Sequence, residues 1–138
     1  MLFVAGFMDV LRQNWHKYRD RLLPVIQATE RRNSHLFSDE IDKALSSDRA
    51  FLFIGEDGFF VLQPLSENGV VTVNVMFAFD WGGNAIERYQ ASIERLSREI
   101  GATGLKLYTV VKGLVPLLKQ QHWQLTNDDR IMRFIKPL

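Results

Sequence analysis

The 138-residue chain contains no cysteine. Disulfides, thiolate metal sites and a cysteine nucleophile are thereby excluded, and the composition fits a reducing compartment. No stretch approaches the roughly 20 consecutive apolar residues of a membrane span, so no membrane association is expected. The opening MLFVAGFMDV is apolar but has no basic leading segment and meets Asp9 too early for a secretory signal. A cytoplasmic protein is therefore expected. One-sided charge is missing too: 17 basic residues against 16 acidic ones leave a net charge of +1. No broad field draws in nucleic acid or a membrane surface. Histidine is scarce, and His16, His35 and His122 share no metal-ligand spacing, so no metal site is expected. Ser92 sits in ASIER without the glycines of a nucleophile elbow, which gives a serine hydrolase no foothold.

What is present reads as one domain spanning residues 1–138, long enough to bury about two-thirds of the surface that its unfolded form exposes. Leu11, Trp15, Tyr18, Leu22 and Ile26 recur at helical spacing and predict an amphipathic helix over about residues 9–29, kinked or divided at Pro24. Ser38 is the expected cap of a short second helix carrying Ile41, Ala44 and Leu45. The texture then turns to strands. AFLFI and FFVLQPL flank the turn GEDG, and SENG leads into VVTVNVMFAF. In that third run, Val71, Val73, Val75, Phe77 and Phe79 are read on one face, with Val70, Thr72, Asn74, Met76 and Ala78 on the other.

Beyond Gly82 and Gly83 the helical period returns in Ile86, Tyr89, Ile93, Leu96 and Ile100, with Glu94–Arg98 and Arg95–Glu99 pairs on the wet side. Gly101 and Gly104 end that helix and admit the strand LKLYTVV. A last helix spans about residues 113–121, and HWQLT, NDD and RIMRFI close the chain as a hairpin. LFVAGF could add one more strand. Strand, helix and strand across residues 70–111 imply a right-handed crossover and one parallel pair. The predicted class is α/β in the α+β sense: a mixed, mostly antiparallel sheet with helices on both faces.

The basic stretches HKYRDR and TERRNSH are interleaved with Asp20 and Glu30, and read as solvated helix faces rather than a nucleic-acid patch. Trp81 and Trp123 would serve as interface anchors wherever they are exposed.

This order resembles the GCN5-related N-acetyltransferase fold over nearly the whole chain. The likeness rests on the hairpin AFLFIGEDGFFVL, the strand ending in MFAFDW, the glycine turn into AIERYQASIERLSREIGA, and LLKQQHW, which is similar to the family's C-terminal pattern. In particular, the chain is similar to divergent members of this fold found among bacteriophage and prophage proteins. The resemblance implies transfer of an acetyl group from acetyl-coenzyme A to an amine on a small molecule or a protein. It also implies a cofactor lying against Phe77, Ala78 and Phe79, with its pyrophosphate at Gly82, Gly83, Asn84 and Ala85. Its alternative is a phage or prophage module with this fold, binding or virion-associated and non-catalytic, acting on a phage protein or as a homo-oligomer.

The sequence departs from the family pattern in three places. Asp80 stands where the cofactor loop has Gln or Arg. Asn84 and Glu87 have capping-box spacing and would occupy the amides that a phosphate needs, so a capped turn and a phosphate cradle both stay open. Leu118 falls where the family has a proton-donating Tyr; Tyr108 is the nearest replacement, and Glu56 and Asp57 are candidate bases.

Overall fold

The computed structural model describes residues 10–138; the LFVAGF segment lies outside them. The chain runs β1 (Val10–Gln13), α1 (Trp15–Asn33), α2 (Ser38–Ser46), β2 (Phe51–Gly55), β3 (Gly58–Glu67) and β4 (Val70–Asp80). It continues with α3 (Ala85–Glu99), β5 (Gly104–Thr109), a 3-10 turn (Lys112–Leu114), α4 (Val115–Gln120), β6 (Gln124–Asn127) and β7 (Met132–Pro137). The strands form one 7-stranded sheet in the order β1-β2-β3-β4-β5-β7-β6. Only the β4–β5 neighbours are parallel. The predicted α+β class, mixed sheet and crossover are all present.

Helices cover both faces. Ile86, Tyr89 and Ile93 of α3 and Leu118 of α4 pack with Val73, Val75, Leu105 and Phe134 on one face. Trp15, Leu22 and Ile26 of α1 and Ile41, Ala44 and Leu45 of α2 pack with Leu52, Phe59, Val61 and Phe77 on the other. Each large side chain so buried contributes roughly 1.5–3 kcal/mol. The wet side of α3 carries its two expected i,i+4 ion pairs, at 3.2 and 3.3 Å. Ile100, counted in its stripe, lies past the helix end and is 49% exposed.

The first helix begins later than its apolar spacing suggests. Asn14 accepts a hydrogen bond from the His16 amide at 2.9 Å and caps the helix, which frees Val10–Gln13 to pair with β2. Leu11 is therefore a strand residue, and an exposed one. Pro24 does not divide α1: it lies on the solvent side with Asp20, whose carbonyl can turn to water. Ser38 is not the cap of α2. The Glu30 carboxylate takes that role, accepting from the amides of Phe37 and Ser38 at 2.7 Å each. This contact lowers the Glu30 pKa.

The alternation read along β4 breaks at Met76. Val61 faces Phe77 and Leu62 faces Val75, so Met76 is an extra residue on β4, a β-bulge. Val73 and Val75 face α3, whereas Phe77 and Phe79 face α1 and α2. The single apolar face predicted for this strand is two half-faces.

Asp42 clasps α1 to α2. Its carboxylate accepts from Trp15 Nε1 at 2.8 Å, and from Arg19 Nε and Nη2 at 2.9 and 2.8 Å. The hydrogen bonds from Arg19, with help from Trp15, pull its pKa from 3.8 down to about 2. A carboxyl depressed on folding adds stability above its unfolded pKa, and that stability is lost as pH falls through the folded value. The urea midpoint should therefore fall between pH 4 and pH 2. Asp42→Asn should flatten that dependence and, since the pair is partly solvated, cost on the order of 1 kcal/mol at pH 7. An unchanged acid limb in the variant would show the clasp to be idle.

Candidate functional site

β4 and β5 pair only from Thr72–Gly104 to Val75–Leu107. Beyond that point the bulge turns β4 away, and Met76–Asp80 run on without β5 alongside. The strands diverge over a cavity of about 820 Å³. Its walls are Phe77, Ala78 and Phe79 of β4, Tyr108 and Thr109 of β5, Asn84 and Ala85 at the start of α3, and His35 and Leu36 of the α1–α2 loop. A parallel strand that loses its neighbour leaves backbone donors and acceptors open to an extended, amide-bearing ligand.

Six of the seven residues expected at the site, Phe77, Ala78, Phe79, Gly83, Asn84 and Ala85, line this cavity; Gly82 does not. The Gly82 amide donates to Asp80 Oδ1, and the Gly83 amide to the Asp80 carbonyl at 2.9 Å. Asp80 is 5% exposed, with Oδ2 enclosed and without a hydrogen-bond partner, so it organises the turn from within. Gly83 has φ +82°, the left-handed region that a glycine enters without steric cost.

The capping box does not form. Asn84 makes no side-chain cap to α3, and among the described residues no group accepts from the amides of Ala85, Ile86 and Glu87. The turn already has its order from Asp80. A 15-residue helix therefore presents free N–H groups at the cavity, where its dipole favours negative charge.

The candidate bases fare differently. Glu56 and Asp57 lie outside the cavity lining, and Asp57 Oδ2 accepts from Arg88 Nε at 3.1 Å. That ion pair ties the β2–β3 turn to α3. Leu118 is fully buried among the α3-side residues, while Tyr108 lines the cavity and is 46% exposed. Trp81 stands exposed with its ring edge-on to Phe79, whereas Trp123 is buried.

His35 and Leu36 were not legible as site residues, because no local pattern announces a loop that is docked by distant contacts. Phe37 seats the loop, with its ring 5.0 Å from His35 and 6.0 Å from Phe77. From the β6–β7 turn, Arg130 Nη2 donates to the carbonyls of Ser34 and Asn33, tying that turn to the end of α1. Among the described residues no cluster of His, Asp or Glu could hold a metal ion, and no helix is long and apolar enough to cross a membrane.

No family model and no curated protein matches the sequence. Solved structures do match in shape. An acetyltransferase from Streptococcus agalactiae is 13% identical with a TM-score of 0.63, over 95% of this chain and 99% of its own. A GNAT-family acetyltransferase from Listeria monocytogenes is 12% identical with a TM-score of 0.60, over 94% of this chain and 95% of its own. N-acetylglutamate synthase from Neisseria gonorrhoeae, complexed with coenzyme A and N-acetyl-glutamate, is 15% identical with a TM-score of 0.65; the match covers 94% of this chain and 35% of that protein. The resemblance to phage members gains no support from these three. With its splayed parallel pair, its bulge and these neighbours, the chain has the fold of the GCN5-related N-acetyltransferases.

Proposed function

We propose that this chain is an N-acyltransferase that takes its acyl group from acetyl-coenzyme A and delivers it to an amine. The observation that carries the reading is the parting of β4 from β5 beyond Val75–Leu107, over a cavity that reaches the uncapped start of α3. The amides of Ala85, Ile86 and Glu87 would take the pyrophosphate, and the open edge of Phe77–Phe79 the amide-bearing arm. When bound, acetyl-coenzyme A supplies a thioester carbonyl that is open to attack by an amine. The fold shared with a synthase crystallised with coenzyme A supports the same cofactor class.

Cofactor binding is tested by melting. A ligand that binds only the native state adds about 2.7 kcal/mol at a hundred times its Kd, which for a chain of this length is a rise of roughly 9 °C in Tm. Asn84→Asp should leave the unliganded Tm unchanged or slightly higher, since a carboxylate suits a helix start, while reducing the acetyl-coenzyme A shift by repulsion. No shift in the wild-type protein at millimolar acetyl-coenzyme A would refute the reading.

A further inference from the structure

We propose that His35 is the general base that takes the proton from the acceptor amine. This rests on the acyltransferase reading above.

The bulge divides the cavity wall between the two faces of the sheet. Ile86 and Ala85 at the start of α3 belong to the same side as Val73 and Val75, while Phe77, Phe79 and Phe37 belong to the side of α1 and α2. One cavity touches both groups, through the gap between β4 and β5. A donor anchored on the α3 amides therefore enters from one face and leaves the α1–α2 face to the acceptor. His35 lines the cavity on that second face, edge-on to Phe37, which in turn packs on Phe77, the first residue after the bulge.

The loop that carries it is tied down. The His35 amide donates to the Glu30 carbonyl at 3.3 Å, and the amides of Phe37 and Ser38 donate to the Glu30 carboxylate. Arg130 holds the residues just before it. The imidazole is also in the right state. Burial first, and the Arg130 charge second, lower its pKa below the ordinary 6.5, against the opposing pull of Glu30 and Glu40. Arg32 and Lys106 line the cavity, whereas Arg130 does not. At neutral pH the ring is uncharged and has a lone pair to offer, the condition for a general base.

Other groups fit less well. Asp57 is held by Arg88, Glu56 and Asp57 lie off the cavity, and the free oxygen of Asp80 is enclosed. Glu40 lies on the exposed rim and is the competing candidate. In the transfer, the amine nitrogen bonds to the acyl carbon and the carbon–sulfur bond breaks, its electron pair leaving on sulfur. The proton of the nitrogen passes to the His35 imidazole, and the thiolate takes one from solvent.

Bromoacetyl-coenzyme A tests the position without knowledge of the acceptor. An uncharged imidazole placed where the amine must approach displaces bromide: a carbon–nitrogen bond forms, bromide leaves, and the ring N–H proton goes to solvent. Peptide mass spectrometry should find the adduct on His35, with labelling suppressed by excess acetyl-coenzyme A, which has no free thiol to consume the reagent. His35→Gln should lose the label and keep the coenzyme A melting shift. A label on Glu40 or Tyr108 instead, or no label on a wild-type protein whose Tm coenzyme A still raises, overturns the role of His35 and leaves the acyltransferase reading standing. No melting shift with either compound overturns both.

Discussion

Replacing Gly58 with alanine should unfold the protein or remove most of its stability. Gly58 opens β3 and faces Asp80 across the β3–β4 ladder. A Cβ there would lie 2.0 Å from the Phe79 carbonyl oxygen, 2.8 Å from the Asp80 Cα and 2.9 Å from the Phe79 carbonyl carbon. All three are backbone atoms, so no rotamer change relieves the collision. The ladder must open at the point where β4 forms the cavity wall. The expected cost is about 4 kcal/mol or more, against a total of roughly 5–15 kcal/mol for a domain. Gly69→Ala is the control, because a Cβ there meets nothing within 4 Å although φ is +78°. It should cost only about 1 kcal/mol through the unfavourable backbone conformation. Urea unfolding followed by circular dichroism separates the two, and a wild-type midpoint for Gly58→Ala would contradict the packing described.

Trp123→Ala should cost about 3–5 kcal/mol, the range for emptying a large aromatic site in a core. Trp123 is 3% exposed, and its indole Nε1 donates to Gln90 Oε1 at 3.0 Å, both within the buried interior. Gln90 Nε2 in turn donates to Glu94 Oε2 at 2.7 Å, and Lys136 Nζ reaches the same oxygen at 3.5 Å. One side chain thus ties the end of α4 to α3, the helix whose first turn faces the cavity. Trp123→Phe fills much of the space but removes the donor and leaves Gln90 Oε1 buried without it. It should cost about 1–3 kcal/mol. A wild-type urea midpoint for the Phe variant would show that the hydrogen bond contributes nothing.

The parts of the fold legible in the sequence were those fixed by local pattern. The stripe Ile86, Tyr89, Ile93 needs only one buried face to become α3, and the glycine turns need only their own backbone. The strand β1 was lost because Leu11 lies four residues before Trp15, a spacing that a helix and a strand-plus-cap can share. The bulge at Met76 was invisible because the residues after it, Phe77, Ala78 and Phe79, are apolar on either face and carry no mark of inversion. The capping box was misread for a related reason. Asn84 and Glu87 have the right spacing, but a buried carboxylate four residues upstream of Asn84 shapes the turn first. As for the site, its β4 and α3 residues form one stretch of sequence and could be read together. His35 could not, since it reaches the cavity only through Phe37 on Phe77 and through Arg130, contacts spanning 40 and about 95 residues.

The extra residue at Met76 also limits how this chain can change length over time. Loops elsewhere can gain or lose residues one at a time, but deleting this one would restore a plain two-residue repeat along the strand. Phe77, Ala78 and Phe79 would keep their faces, since Phe77 would then follow Val75 in plain alternation, but the turn that parts β4 from β5 would go, and the gap beside it with it. Descendants of this sequence are free to vary which residue stands at 76, but not whether one stands there.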